Sequence, residues 1–137
     1  MKPIQLLCGI AALVASSCYA NCKDIQLHQT VDAQLLWDDL SILADDKMQG
    51  RKHGTEGNER ARAYISDRYS SLNLTTFAGD EFSGYYQTFV IEQLFTDLEG
   101  INVVGWIKGT EKSDSFIVIS AHFDHLGKTG GQIYNGA

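Results

Sequence analysis

The sequence feature that most constrains the fold is an uninterrupted apolar run at residues 116–119, followed at once by a polar segment at residues 120–127. A continuous apolar run of this kind is typical of a β-strand that is covered on both faces. In open α/β sheets, ligands and catalytic groups collect where the strands end. The run therefore predicts a buried strand over residues 116–121, with two histidines and an aspartate placed directly after it.

The composition is that of a globular chain. The 137 residues are 44% hydrophobic and 20% charged, which fits one domain or a part of a larger one. The net charge of −6 argues against a nucleic-acid partner, because binding to phosphates requires a basic surface.

Residues 1–20 are expected to be a secretory signal peptide. Lys2 supplies a positive start, and residues 4–15 form an apolar segment that is too short for a comfortable transmembrane helix. Two processing sites stay open: ordinary cleavage after Ala20, which is favoured, and lipoprotein processing before Cys18, which would place a lipid anchor there. We therefore expect an exported protein without a membrane span, periplasmic or extracellular and possibly a membrane-anchored lipoprotein. Ordinary cleavage leaves Cys22 as the only cysteine, so no internal disulfide is expected.

Local patterns predict two helices ahead of the strands. Thr30 is a candidate N-cap for a helix running through residue 32 to about residue 44, whose leucines recur at helical spacing. A second helix is predicted over residues 58–72. The loop at 50–57 between them is rich in glycine, and we interpret it as a simple turn rather than as a border of the site.

Three strands are predicted in the second half of the chain. Residues 85–95 and 101–107 are rich in aromatic and β-branched side chains. The connection from 101–107 to 116–121 is short, so those two strands are expected to pair antiparallel. Residues 127–137 are rich in glycine and are interpreted as a loop. The order of helices and strands favours an α/β fold.

His122 and Asp124 are the candidate functional residues. They are two positions apart, so their side chains point to the same side if the strand geometry continues. A neutral imidazole binds Zn²⁺ through one nitrogen, while a nearby carboxylate accepts the other N–H and fixes the tautomer. The residues alone leave a metal site and an ordinary surface pair equally open. His28 and His53 are interpreted as ordinary polar positions.

Two stretches, NVVGWIKG at 102–109 and VISAHFDHLG at 118–127, resemble the start of the M28 family of zinc-dependent exopeptidases. Residues 43–51, the loop at 54–57 and the second helix are similar to that family's N-terminal segment. The resemblance covers nearly all of the chain after the signal peptide. Its most specific part is the His-x-Asp motif in this context.

The resemblance implies a mixed β-sheet sandwiched by helices, two zinc ions in the full-length protein and peptide substrates that lose their N-terminal residues. His122 corresponds to the first zinc ligand, and Asp124 to the aspartate that orients it. Residues 135–137 correspond to those just ahead of a bridging aspartate. The other ligands and the glutamate base are not in the sequence, so residues 21–137 are expected to be the N-terminal portion of such a domain, incomplete at its C-terminus.

Two alternatives to an aminopeptidase remain open at this point. One is a non-catalytic binding domain on the same scaffold, in which His122 only forms hydrogen bonds. The other is a single-zinc enzyme that resembles glutaminyl cyclases. Ligands beyond residue 137 would distinguish these possibilities.

Overall fold

A computed structural model of the protein describes residues 31–111 and 114–136. The expected signal peptide, both possible cleavage sites, Thr30 and Cys22 lie outside the described residues. The described residues from Asp32 onward belong to one structural unit. Within the described ranges, no helix has the length and hydrophobicity that a membrane span requires.

The two predicted helices are confirmed, with small changes at their ends. Helix α1 is Ala33–Leu43 and helix α2 is Glu56–Ser71. The N-cap of α1 is Asp32, whose carboxylate accepts hydrogen bonds from the main-chain N–H groups two and three residues later, at 2.9 and 3.3 Å. An aspartate satisfies these otherwise free N–H groups at least as well as a threonine. The predicted cap, Thr30, is therefore wrong.

A 3₁₀ helix, Asp46–Arg51, connects α1 to the loop before α2. Its last three residues, Gln49, Gly50 and Arg51, all have left-handed backbone angles, with φ of 50°, 66° and 49°. Such angles are costly for residues that carry a Cβ atom. The prediction of a simple glycine-rich turn did not include these left-handed angles at the two non-glycine residues, Gln49 and Arg51.

A three-stranded antiparallel sheet follows the helices. Its strands are β1 (Phe82–Ser83), β2 (Tyr86–Ile91) and β3 (Leu98–Val103), in the order β1-β2-β3. Tyr86 lies opposite Val103, and Ile91 lies opposite Leu98. The predicted strand at 85–95 exists with shorter ends, whereas the predicted strand at 101–107 overlaps β3 only at residues 101–103. The partner of β3 is β2, so the predicted pairing of 101–107 with 116–121 is wrong.

The apolar run that the sequence predicts as a buried strand is neither a strand nor buried in the described structure. Residues 115–126 have no regular secondary structure. Ile117 is 94% exposed and Ile119 is 93% exposed. The prediction assumed covering layers on both faces and strands along both edges. Among the residues that the structure describes, no strand pairs with this run, so its apolar side chains stay uncovered.

The glycine-rich end of the described chain is a hairpin rather than a loop. Strands β4 (Gly127–Thr129) and β5 (Gln132–Tyr134) pair antiparallel. Gly130 and Gly131 between them have φ of 57° and 86°, which matches a turn that needs positive φ at both central positions. The described structure therefore combines helices with small antiparallel sheets, and the mixed α/β class holds at that level.

Polar contacts join the two helices. Tyr64 on α2 donates a hydrogen bond to the Asp39 carboxylate on α1, and Arg68 donates to the same carboxylate at 3.1 Å. Burial raises the pKa of Tyr64, and its hydrogen bond to Asp39 raises it further. Apolar side chains of α1 nevertheless remain exposed, with Trp37 at 64% and Leu36 at 57%.

The hairpin packs directly on the sharp turn at Gly50. A Cβ atom at this position would lie 2.5 Å from the carbonyl oxygens of Gly127 and Tyr134, in β4 and β5. Only glycine leaves room for the two backbones at this distance, and it also tolerates the left-handed φ. Gly50 therefore fixes the hairpin against the 3₁₀ helix.

Replacement of Gly50 by alanine should destabilise the protein by more than its backbone angle alone explains. Gly84 is the matched control, because its φ of 62° is similar while a Cβ atom there would meet no other atom within 4 Å. We expect Gly84→Ala to cost about 1–2 kcal/mol for the left-handed conformation. Gly50→Ala should cost about 1–3 kcal/mol more, because of overpacking. Urea titration measures both free energies of unfolding, and equal losses would contradict the packing argument.

Candidate functional site

The candidate site lies on the segment of residues 121–126, which leads from the exposed apolar run into strand β4. This segment approaches the turn between the helices. The main-chain N–H of His125 donates a hydrogen bond to the carbonyl oxygen of Arg51 at 3.3 Å. The candidate residues are therefore held next to the start of α2, and not at the end of a paired strand as the sequence predicts.

The structure brings His122 and Asp124 together. The Nδ1 atom of His122 lies 2.9 Å from the main-chain oxygen of Asp124 and 3.2 Å from its Oδ1. A carbonyl oxygen and a carboxylate oxygen both act as acceptors in this pair, so Nδ1 must carry the proton. In the neutral ring the lone pair is then on Nε2. His122 thus presents the nitrogen that a metal ion or a proton donor would need.

The His122–Asp124 pair orients a side chain and does little for stability. The two side chains are 81% and 51% exposed, respectively. Exposed pairs of this kind contribute about 0–1 kcal/mol to folding. The pair instead determines which nitrogen of the His122 ring is free: Nδ1 is bonded to Asp124, and Nε2 is available for a ligand.

Two cavities adjoin His122. One, of about 400 Å³, lies between the 121–124 segment and the sheet, with Phe89 of β2 and Gly100 of β3 in its wall. The other, of about 410 Å³, lies between the same segment and the helices, with Leu43 and Ile65 in its wall. Volumes of this size suit small ligands or short peptide segments. Both cavities include His122 and Phe123 in their walls.

Two residues that were not predicted to belong to the site also line the cavity next to the sheet. His53, interpreted from sequence as an ordinary polar position, lines the same cavity as His122 and Asp124. Asn58 lies there too, is only 3% exposed, and donates a hydrogen bond from Nδ2 to the Arg51 carbonyl at 3.1 Å. In the sequence, only the glycine-rich loop at 50–57, which contains His53 and directly precedes Asn58, indicates that these two residues could border the site.

Arg51 is the residue that connects the helices to the candidate site. It is 6% exposed. Its Nε donates to the carbonyl oxygen of Phe123 at 2.6 Å, and its Nη1 donates to the carbonyl oxygen of Leu43. Burial lowers the pKa of Arg51, while the negative charge of Asp124 raises it. The loop that the sequence suggested to be a simple turn therefore contacts the site.

Residues 135 and 136 also contact this region, whereas Ala137 lies outside the described residues. Asn135 donates a hydrogen bond from Nδ2 to Asp46 at 2.8 Å. A Cβ atom at Gly136 would lie 2.5 Å from the His125 ring, so that ring packs on the glycine. The two residues therefore contact the 3₁₀ helix and the site segment.

The described residues do not form a zinc site by themselves. A catalytic zinc ion requires about three protein ligands. Within residues 31–111 and 114–136, no group of three or more His, Cys, Asp or Glu side chains is close enough to hold a metal ion. His122, with Nδ1 bonded and Nε2 free, fits a single zinc ligand, and Asp124 fits the carboxylate that orients such a ligand.

Comparison with known proteins gives no relative: no protein-family model, no curated protein and no solved structure matches the chain.

The tautomer of His122 is directly testable. At a pH where the ring is neutral, we expect Nδ1 to carry the proton, because both of its neighbours are acceptors. Two-dimensional ¹H–¹⁵N NMR of the imidazole ring distinguishes the two tautomers, and His122→Gln identifies the signal. Asp124→Ala removes the carboxylate contact and keeps the main-chain contact, so the preference should weaken without reversing. A ring protonated on Nε2 in the unaltered protein would contradict the geometry.

Proposed function

We propose that this chain carries the first zinc ligand, His122, of a zinc-dependent exopeptidase that removes N-terminal residues from peptides. The proposal rests on the His-x-Asp motif and on one geometric observation. Asp124 occupies the Nδ1 side of the ring and leaves Nε2 free. That is the arrangement in which a histidine binds zinc while a carboxylate orients it.

The surroundings of His122 support a role in binding rather than a structural role. Its side chain is exposed instead of being satisfied in a core. The cavity beside it has apolar walls from β2 and β3, and polar groups from His53, Asn58 and Asp124. A cavity with largely apolar walls and a few polar groups is typical of a small-molecule or peptide site.

Further ligands are a requirement of the proposal, because His122 alone cannot hold a catalytic zinc ion. We propose that they follow residue 137, that two zinc ions are bound in total, and that a mixed β-sheet sandwiched by helices forms around them. The exposed apolar run at 116–119 would be covered in that larger sheet. Its present exposure supports this proposal, because several adjacent apolar side chains are uncovered.

Export is also part of the proposal. It is supported by the N-terminal residues 1–20, which lie outside the described part of the chain and in which Lys2 precedes an apolar segment at residues 4–15. A lipid anchor at Cys18 is the alternative to free export.

The protein produced from the complete gene should hydrolyse amino-acid p-nitroanilides and release the N-terminal residue of short peptides. Removal of zinc with 1,10-phenanthroline should abolish this activity, and added Zn²⁺ should restore it. His122→Ala should lower kcat/KM by at least about 100-fold, because a ligand is lost. His28→Ala is the matched control, since His28 stands outside the motif, and it should keep the activity.

Activity that survives both the chelator and His122→Ala would overturn the proposal. A protein that binds no zinc at His122 and has no peptidase activity would favour a binding domain. Zinc bound together with cyclisation of N-terminal glutamine would favour the single-zinc cyclase. Both of these outcomes would reject the aminopeptidase.

A further inference from the structure

Arg51 combines features that a residue serving only the turn would not need. It is buried and charged, it has a left-handed backbone conformation with φ of 49°, and its side chain reaches a residue 72 positions later in the chain. We infer that Arg51 is a positioning residue, which holds the 122–125 segment in place so that the His122 ring faces the cavity with its Nε2 free.

The hydrogen bonds of Arg51 surround the segment from two directions. Its side chain donates from Nε to the carbonyl oxygen of Phe123 at 2.6 Å. Its own carbonyl oxygen accepts from the N–H of His125 at 3.3 Å. The side chain and the main chain of one residue thus bind the peptide groups on both sides of Asp124. This leaves little freedom for the backbone between His122 and His125.

The same residue is itself held in place from the helices. Its Nη1 donates to the carbonyl oxygen of Leu43 at the end of α1. Its carbonyl oxygen also accepts from Nδ2 of the buried Asn58 at 3.1 Å, near the start of α2. The planar guanidinium has donors that point in fixed directions, so it can bridge two carbonyl groups at once. A lysine at this position has no such fixed fork.

The cost of this arrangement argues against an incidental contact. A buried guanidinium loses its hydration, and neutral carbonyl groups replace it only in part. Left-handed backbone angles at non-glycine residues add strain, and such strain is common at functional sites. The charge also lies close enough to Asp124 for that carboxylate to influence its pKa. The positive charge therefore stands beside the residue that orients His122.

The consequence for metal binding rests on the proposed function, whereas the structural role does not. If His122 is a zinc ligand, loss of the Arg51 side chain should weaken zinc affinity by about 10–100-fold, as is typical for groups that support a ligand. If the protein binds no zinc at His122, the proposed function fails, and the NMR measurements below still decide the role of Arg51.

The test compares Arg51→Ala with Arg68→Ala in the complete, ¹⁵N-labelled protein. Arg68 is the matched control, because it also joins α1 to α2 through Asp39 and has no hydrogen bond to the 122–125 segment. We expect Arg51→Ala to speed hydrogen exchange at the His125 amide by at least about 10-fold and to shift the ring signals of His122. Arg68→Ala should change neither. Equal effects of the two variants, or no effect of Arg51→Ala, would overturn the inference.

Two further measurements keep the inference testable if Arg51→Ala does not fold. In the unaltered protein the Nε–H of Arg51 should exchange slowly with solvent, because it is buried and bonded to Phe123. Arg51→Lys keeps the charge and loses the fixed pair of donors, so it should restore folding and leave the His122 signals shifted. Fast exchange of the Nε–H, or unchanged His122 signals in Arg51→Lys, would overturn the inference.

Discussion

The structure around the candidate site depends on one backbone constraint, the left-handed path of the chain through Gln49, Gly50 and Arg51. This path lets the β4–β5 hairpin approach Gly50 at a distance that excludes any side chain. It also aims the Arg51 side chain at the Phe123 carbonyl and the Arg51 carbonyl at the His125 amide. The turn thereby connects both helices, the hairpin and the His122 segment.

The chemistry of the site depends on which side-chain atoms remain free once the turn at residues 49–51 holds the His122 segment. Because Nδ1 of His122 is bonded to Asp124, the free nitrogen is Nε2. Because the 122–125 backbone is held on both sides of Asp124, the ring has a defined place at the edge of a cavity. One oriented imidazole could serve as a single zinc ligand. A catalytic zinc ion requires about three protein ligands, so this imidazole alone does not complete a site. The described residues therefore supply one oriented imidazole and the groups that support it.

Several features that neighbours in the chain determine were predicted correctly, although the Asp32 N-cap and the β4–β5 hairpin, which are also local, were missed. Helix α2 and strand β2 follow from local spacing and residue type, and Asp124 beside His122 follows from a two-residue separation. Predictions also failed where contacts with segments distant in the sequence determine the structure. The run at 116–119 was predicted to be buried, yet burial depends on partners that the described residues do not provide. The contact of Arg51 with Phe123 spans 72 positions, and nothing in the local pattern of either segment indicates it.

The measurement that tests the central claim most directly is anomalous diffraction at the zinc absorption edge from crystals of the complete gene product. We predict a zinc peak about 2.0–2.1 Å from Nε2 of His122, with Nδ1 still bonded to Asp124. A structure with zinc bound elsewhere, or bound to His122 through Nδ1, would contradict it. So would crystals grown with excess zinc that show no peak at His122.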